Sequence, residues 1–361
     1  MSQRVRVLVV DDSAVMRQLI SSLLSEDPEI EVVGTAADPF IARERIKALN
    51  PDVVTLDVEM PNMDGVTFLR KIMTLRPMPV IMVSTLTQAG AEITLEALEI
   101  GAVDFITKPT GNSGNGMASI AAELQAKVKA AARTPVRKRP TTAPTRVIQR
   151  KPWSGGTDKI VVIGASTGGV EALKVVLMDL PAECPPVLIT QHMPPRFTNA
   201  FAERLNRECP MKVSEAKHND AVEPNHVYIA PGSHHLELTR VGAGFRCTLN
   251  DGPPVSGHRP SVDVLFRSAA RAAPTRVVAV ILTGMGKDGA EGMLELRKAG
   301  AFTIGQDEAS SLVYGMPRAA HERGAVMRQV PLTRVADAIM EACTADSGVA
   351  DKTSGRANMI R

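Results

Sequence analysis

Lys159-Ile-Val-Val-Ile-Gly-Ala-Ser-Thr-Gly-Gly169 is an apolar, β-branched run that stops at a glycine-flanked serine, with a helical pattern opening at Val170. A strand that turns straight into a helix is the repeating unit of an open α/β sheet, and it places Ser166 where an exposed nucleophile sits. Glycine-rich turns of this kind also cradle phosphates. Two details favour the nucleophile: the spacing is not Gly-x-Gly-x-x-Gly, and a serine stands where a dinucleotide site needs its second glycine. The first N–H groups of the helix would point at Ser166, ready to hold an oxyanion.

A serine nucleophile needs a base. His192 follows the next expected strand, Val187 to Gln191, at the same sheet edge. An acid to orient the imidazole is Asp288, in Leu282-Thr-Gly-Met-Gly-Lys-Asp-Gly289 after the apolar run Arg276 to Leu282. The chain order Ser, His, Asp differs from that of α/β-hydrolases, so this would be another route to the same geometry. His218, His226, His234, His235 and His258 remain alternatives for the base, as do Asp220, Asp251 and Asp263 for the acid. His234 and His235 are adjacent on an expected strand and point to opposite faces, which argues against a shared metal. Arg259, in His258-Arg-Pro-Ser-Val-Asp263, is a candidate for reading a carboxylate.

Upstream, from Val5 to about Ala132, short β-branched runs alternate with helical ones, the pattern of a doubly wound parallel sheet whose ligands lie beyond the carboxyl ends of the strands. The runs are Val5 to Val10, Glu31 to Gly34, Val53 to Leu56, Val80 to Val83 and Val103 to Ile106. At their ends stand Asp11 and Asp12, Asp57, Ser84 and Lys108. Three clustered carboxylates repel one another unless a hard divalent cation sits among them, and Mg²⁺ suits such a site. The central Asp57 could attack a phosphoryl donor while the Lys108 ammonium neutralises the developing charge. Helix capping alone does not ask for that lysine.

Between these parts, residues 133–158 carry Arg133, Arg137, Lys138, Arg139, Arg146, Arg150 and Lys151 with four prolines and no acid before Asp158. Such a segment cannot bury enough apolar surface to order itself and reads as a basic tether. The expected division is a receiver-like domain over 1–125, a linker over 126–158, a second α/β domain over 159–345 and a disordered tail over 346–361. In the second domain, runs at Ile160 to Gly164, Val187 to Gln191, Val227 to Ala230, Leu236 to Thr239 and Arg276 to Leu282 predict a mixed, mostly parallel sheet. Two-residue alternation across Asn225 to Asn250, with Gly242 and Gly244, predicts an antiparallel hairpin.

In 361 residues there are four scattered cysteines without metal-ligand spacing, which fits a reduced compartment. The amino terminus has no signal-peptide layout and no spanning segment follows, so a cytoplasmic protein without membrane insertion is expected. A formal net charge of +3 with one tryptophan and two tyrosines gives no case for nucleic acid. A DNA-binding output is a further poor fit, because 159–345 is strand-rich and shows no compact basic recognition helix. A phosphate-gripping sensor without covalent chemistry is the other rival, and it would leave Ser166 inert to phosphonate reagents.

Residues 1 to about 125, with Asp57-Val-Glu-Met-Pro61 and Ser84, resemble the receiver domain of bacterial response regulators, a flavodoxin-like (CheY-like) fold. The resemblance implies that Asp57 is phosphorylated. It implies that Asp12 and Asp57 with the Glu59 carbonyl hold Mg²⁺, that Asp11 acts through water, and that Ser84, Phe105 and Lys108 are switch positions. Residues 4 to 345 as a whole resemble the CheB-like protein-glutamate methylesterases of bacterial chemotaxis, through the motifs beginning at Gly164, Gln191, Tyr228, Arg259, Leu282 and Met316. That implies a triad of Ser166, His192 and Asp288, an oxyanion hole from the Met285 and Thr167 N–H groups, and no metal in the catalytic domain. The implied activity is hydrolysis of glutamate γ-methyl esters on methyl-accepting chemotaxis receptors, with deamidation of specific glutamines. A histidine kinase would be the phosphodonor, and the unphosphorylated receiver would restrain the esterase.

Overall fold

The computed structural model describes residues 4–108, 114–134 and 158–344. The chain divides into two compact units, Met1–Val147 and Ile148–Arg361. The expected linker is outside the described residues from 135 to 157, and the expected tail is outside them entirely.

The first unit alternates strand and helix throughout: β1 (Val5–Val10), α1 (Ala14–Ser25), β2 (Ile30–Ala36), α2 (Pro39–Leu49), β3 (Val53–Asp57), α3 (Gly65–Leu75), β4 (Val80–Ser84), α4 (Gln88–Ile100), β5 (Asp104–Thr107) and α5 (Gly114–Ala132). All strand pairs are parallel, in the order β2-β1-β3-β4-β5. The strands β3 and β4 are buried along their whole length, which is why they read as continuous apolar runs. Helix starts are set by side chains: Ser13, Asp38, Asp64 and Thr87 each accept a first-turn N–H. Helix α5 continues past the boundary expected at 125, because Val128 and Ala131 are fully buried. The change of composition at Arg133 marks its end better.

The second unit contains β6 (Ile160–Ala165), α6 (Gly169–Asp179), β7 (Val187–Gln191), α7 (Phe197–Glu208), β8 (Lys212–Glu215), β9 (His226–Ile229), β10 (His235–Val241), β11 (Gly244–Asn250) and α8 (Val262–Ala272). There follow β12 (Val277–Ile281), α9 (Ala290–Lys298), β13 (Phe302–Gln306), α10 (Met316–Glu322), β14 (Arg328–Val330) and α11 (Val335–Thr344). The main sheet has seven strands, β14-β13-β12-β6-β7-β9-β8, and every pair is parallel. The hairpin forms as expected, as β10-β11, but joins no strand of the seven-stranded sheet, so that sheet is not mixed. Leu236, Leu238, Phe245 and Cys247 of the hairpin pack into the core shared with α8 and the sheet.

The winding places the site. From β6 the chain builds outward through β7 to β8 on one side, then returns to β12 and builds outward through β13 and β14 on the other. The reversal lies between β6 and β12, and the crevice beyond the carboxyl ends of such strands is where α/β sheets bind ligands. Ser166 is the first residue past β6. Among the described residues no helix is long and apolar enough to cross a membrane.

Candidate active site and phosphoacceptor pocket

The register pairs Ala165 with Gln191, so Ser166 and His192 are the next residues on two adjacent strands. His192 N–H donates to Ala165 O (3.1 Å), the last rung of that ladder. On the other flank, Ile281 pairs with Gly164, and Ser166 N–H donates to Thr283 O (3.1 Å). The serine thus stands between the ends of β7 and β12. The turn closes with Gly169 N–H donating to Ser166 O (2.7 Å), and Gly168 takes φ 77°, ψ −2°, as a type II turn requires at that place. Helix α6 begins there, with its positive end beside the serine.

His192 and Asp288 meet through Nε2 and Oδ2 at 2.8 Å, both largely buried. The other ring nitrogen, Nδ1, is buried without a hydrogen-bond partner. The His258 ring stacks on the imidazole, centroids 3.8 Å apart and planes 14° apart. Asp288 has further partners: Ser261 Oγ (2.8 Å), Val262 N–H (2.7 Å) and Asp263 N–H (3.1 Å) all donate to it. Its carboxylate is therefore also the cap of α8. Burial pushes the Asp288 carboxyl up, but the His192 hydrogen bond and charge, with the Val262 and Ser261 donors, outweigh it and hold the group at about 2. Neighbouring Asp263 is pushed up by burial and by the charge of Asp288, against the Gly292 N–H that it accepts.

The backbone approaches Ser166 closely on the β12 side. Gly284 is required there, because a Cβ would lie 2.8 Å from Ser166 Cβ and collide with Met316 Sδ. The Gly284–Met285 peptide consequently lies against the serine, and no partner in the described protein takes the Met285 N–H. Buried Thr283 braces both sides, with its hydroxyl 3.0 Å from Thr167 O and 3.2 Å from Val313 O while accepting Val313 N–H at 2.9 Å.

Most of the remaining candidates are occupied elsewhere. His226 bonds Ser214, His234 bonds Ser233, His218 accepts Leu249 N–H, and His235 accepts Ser261 N–H while reaching Pro253 O. Asp220 accepts Lys217 N–H. Arg259, the candidate carboxylate reader, donates through Nη1 to the carbonyls of Asp251 and Gly252. Sequence reasoning did not assign Ser261, Gln191, Thr283 or the His258 stack. They act through contacts between residues far apart in the chain, for which no local signal exists.

In the first unit, Asp11, Asp12 and Asp57 bring carboxylate oxygens within 4.8 Å of one another. Lys108 Nζ lies 2.7 Å from Asp57 Oδ2 and 3.3 Å from Asp11 Oδ2. Burial pushes the Asp57 carboxyl up to about 6, with the charge of Asp11 adding to it and the Lys108 ammonium opposing. Asp11 is likewise raised by burial, and its Oδ2 is buried without a hydrogen bond. One lysine leaves this all-oxygen set under-neutralised, which fits a hard divalent cation. The Glu59 N–H donates to Asp57 Oδ1 at 3.3 Å, placing that residue at the pocket. Ser84 Oγ lies against α4, where the Thr94 hydroxyl is shared between Ser84 Oγ (2.8 Å) and Gly90 O (2.6 Å). Phe105 is buried, with Lys127 Nζ donating to its carbonyl at 2.6 Å.

Known proteins carry the same two parts. The CheB methylesterase model matches residues 161–339, and the response regulator receiver domain model matches 7–116. A protein-glutamate methylesterase/protein-glutamine glutaminase of Caulobacter vibrioides is 60% identical over 347 residues, 95% of this chain and 99% of that one. A relative of the same name from Geobacter metallireducens is 53% identical, over 92% of this chain and 94% of its own. The crystal structure of the Thermotoga maritima CheB methylesterase catalytic domain matches with a TM-score of 0.50 at 38% identity, covering 51% of this chain and 97% of that one. With relatives this similar along almost their full length, the chain belongs to the protein-glutamate methylesterase/protein-glutamine glutaminase family, a receiver domain followed by a CheB methylesterase domain.

Proposed function

We propose that Ser166, His192 and Asp288 form a catalytic triad that hydrolyses glutamate γ-methyl esters on methyl-accepting chemotaxis receptors in the cytoplasm, and glutamine side-chain amides by the same route. The observation that carries this reading is the state of His192, at the end of the strand next to that of Ser166: one ring nitrogen bonds a buried carboxylate and the other is left unpaired. Nδ1 would take the Ser166 proton, and the alkoxide would attack the γ-carbonyl carbon. The Met285 and Thr167 N–H groups would hold the oxyanion, and the imidazolium would return the proton to the leaving methanol, or to ammonia from an amide. Water, deprotonated by the same nitrogen, would then release the glutamate.

In the receiver, Asp57 would accept a phosphoryl group from a chemotaxis histidine kinase. Asp11, Asp12 and Asp57, with the Glu59 carbonyl, are the residues that would hold Mg²⁺. The ion, when bound, supplies charge neutralisation for the transferred group. Lys108, whose Nζ lies 2.7 Å from Asp57 Oδ2, would pair with the phosphoryl group there, and Ser84 and Phe105 would report its charge to α4 and β5.

A fluorophosphonate probe tests the nucleophile without a receptor. The wild-type chain should be labelled on Ser166 alone, and His192→Ala should label at least about 100-fold more slowly, the scale of a general base. Equal labelling of Ser166→Ala and wild type would contradict the triad and favour a phosphate-binding turn.

A further inference from the structure

We propose that Gln191 is a positioning residue that ties the nucleophile's turn to the base, an inference that rests on the triad reading above. The backbone ladder between β6 and β7 ends at the His192 N–H bond to Ala165 O. Beyond that rung the two strands diverge into the loops that carry Ser166 and His192. There the Gln191 side chain, 3% exposed, takes over: Nε2 donates to Ser166 O at 2.9 Å and to His192 O at 3.2 Å. Two amide hydrogens meet two carbonyls, and the carbonyls belong to the two residues between which a proton must pass. The side chain acts as one additional rung.

The orientation of the amide follows from its acceptors, since the reverse would set Oε1 against two carbonyl oxygens. That orientation leaves Oε1 buried without a partner. A buried acceptor left unpaired costs more than a typical hydrogen bond returns. The preceding β7 residues Val187, Leu188 and Ile189 are apolar and fully buried, so an apolar side chain of the same length would fill this space at lower cost. What it would not do is fix Ser166 against His192. Helix α6 is also built around the amide, because a Cβ on Gly169 would collide with Oε1.

Gln191→Met keeps length and volume and removes both donors; Gln191→Glu keeps the shape and turns a carboxylate oxygen toward the two carbonyls. The full chain is assayed with phosphodonor for methanol release from methylated receptor membranes, beside fluorophosphonate labelling of Ser166 and the melting temperature. For the Met variant, kcat and the labelling rate should fall together by about 10- to 100-fold, the effect of a misplacement on the order of 1 Å. KM should stay within about twofold and the melting temperature should not fall, with the Glu variant slower still. Activity of the Met variant within about twofold of wild type would overturn the inference. So would a loss in both variants that simply followed their melting temperatures. Ser166→Ala in the same assay separates the two claims: if it stays active the triad reading has failed, and if it is silent while Gln191→Met is normal only the brace has.

Discussion

Asp288 shows how one side chain can cap a helix and hold a buried imidazole together. It accepts from His192 and from three donors at the start of α8, so the helix end that it caps also holds its negative charge in place. Its carboxyl lies at about 2 in the fold, below about 3.9 in an unfolded chain. A depressed acid stabilises the fold fully above its unfolded value and loses that contribution as pH falls through its folded one. Asp288→Asn should therefore be less stable than wild type above about pH 4, and the gap in unfolding free energy should narrow between about pH 4 and pH 2. Denaturant titrations at several pH values check this, and a constant gap would contradict it. The same variant should lose roughly four orders of magnitude in kcat, the scale seen when a triad acid becomes an amide. The convergence of Ser166, His192 and Asp288 at one edge of the sheet was legible because each follows a strand in a glycine or proline context. Ser261 and Gln191 were not, since what they do depends on partners 25 or more positions away.

At the level of elements, long buried strands were the easy part. Strand β12 is apolar throughout, β7 is buried along its whole length, and both sit within a residue of the positions read from the sequence. Strands β8, β13 and β14 were absent from that reading. Both β8 and β14 are short edge strands rich in polar residues, while β13 carries the polar Thr303 and Gln306, which bond Ala325 O and Thr283 N–H far along the chain as well as Ser310 O nearby. Helix α4 carries a feature no periodicity marks, the Thr94 hydroxyl on Ser84. If Ser84 must leave α4 to reach a phosphoryl group on Asp57, this bond opposes activation. One such bond is worth about 1 kcal/mol, or about fivefold in an equilibrium. In Thr94→Val the phosphodonor concentration for half-maximal esterase activity should fall by about that factor; an unchanged or higher value would show that the bond does not restrain the switch.

In the whole molecule, the Asp11, Asp12 and Asp57 pocket belongs to one compact unit and the Ser166 site to the other. The two-unit plan was legible from the alternation of strand and helix on either side of a basic, proline-containing stretch, and both family models match on those sides. Under the function proposed, the two units are coupled: phosphorylation at Asp57 would raise turnover at Ser166. A tenfold stimulation needs only about 1.4 kcal/mol between the two states of the switch. The direct measurement is methanol release from methylated receptor membranes by wild type and Ser166→Ala, each with and without a small-molecule phosphodonor and Mg²⁺. Release that rises with donor in wild type and is absent in Ser166→Ala under both conditions is the predicted result; equal release by the two proteins, or release by wild type indifferent to the donor, would contradict it.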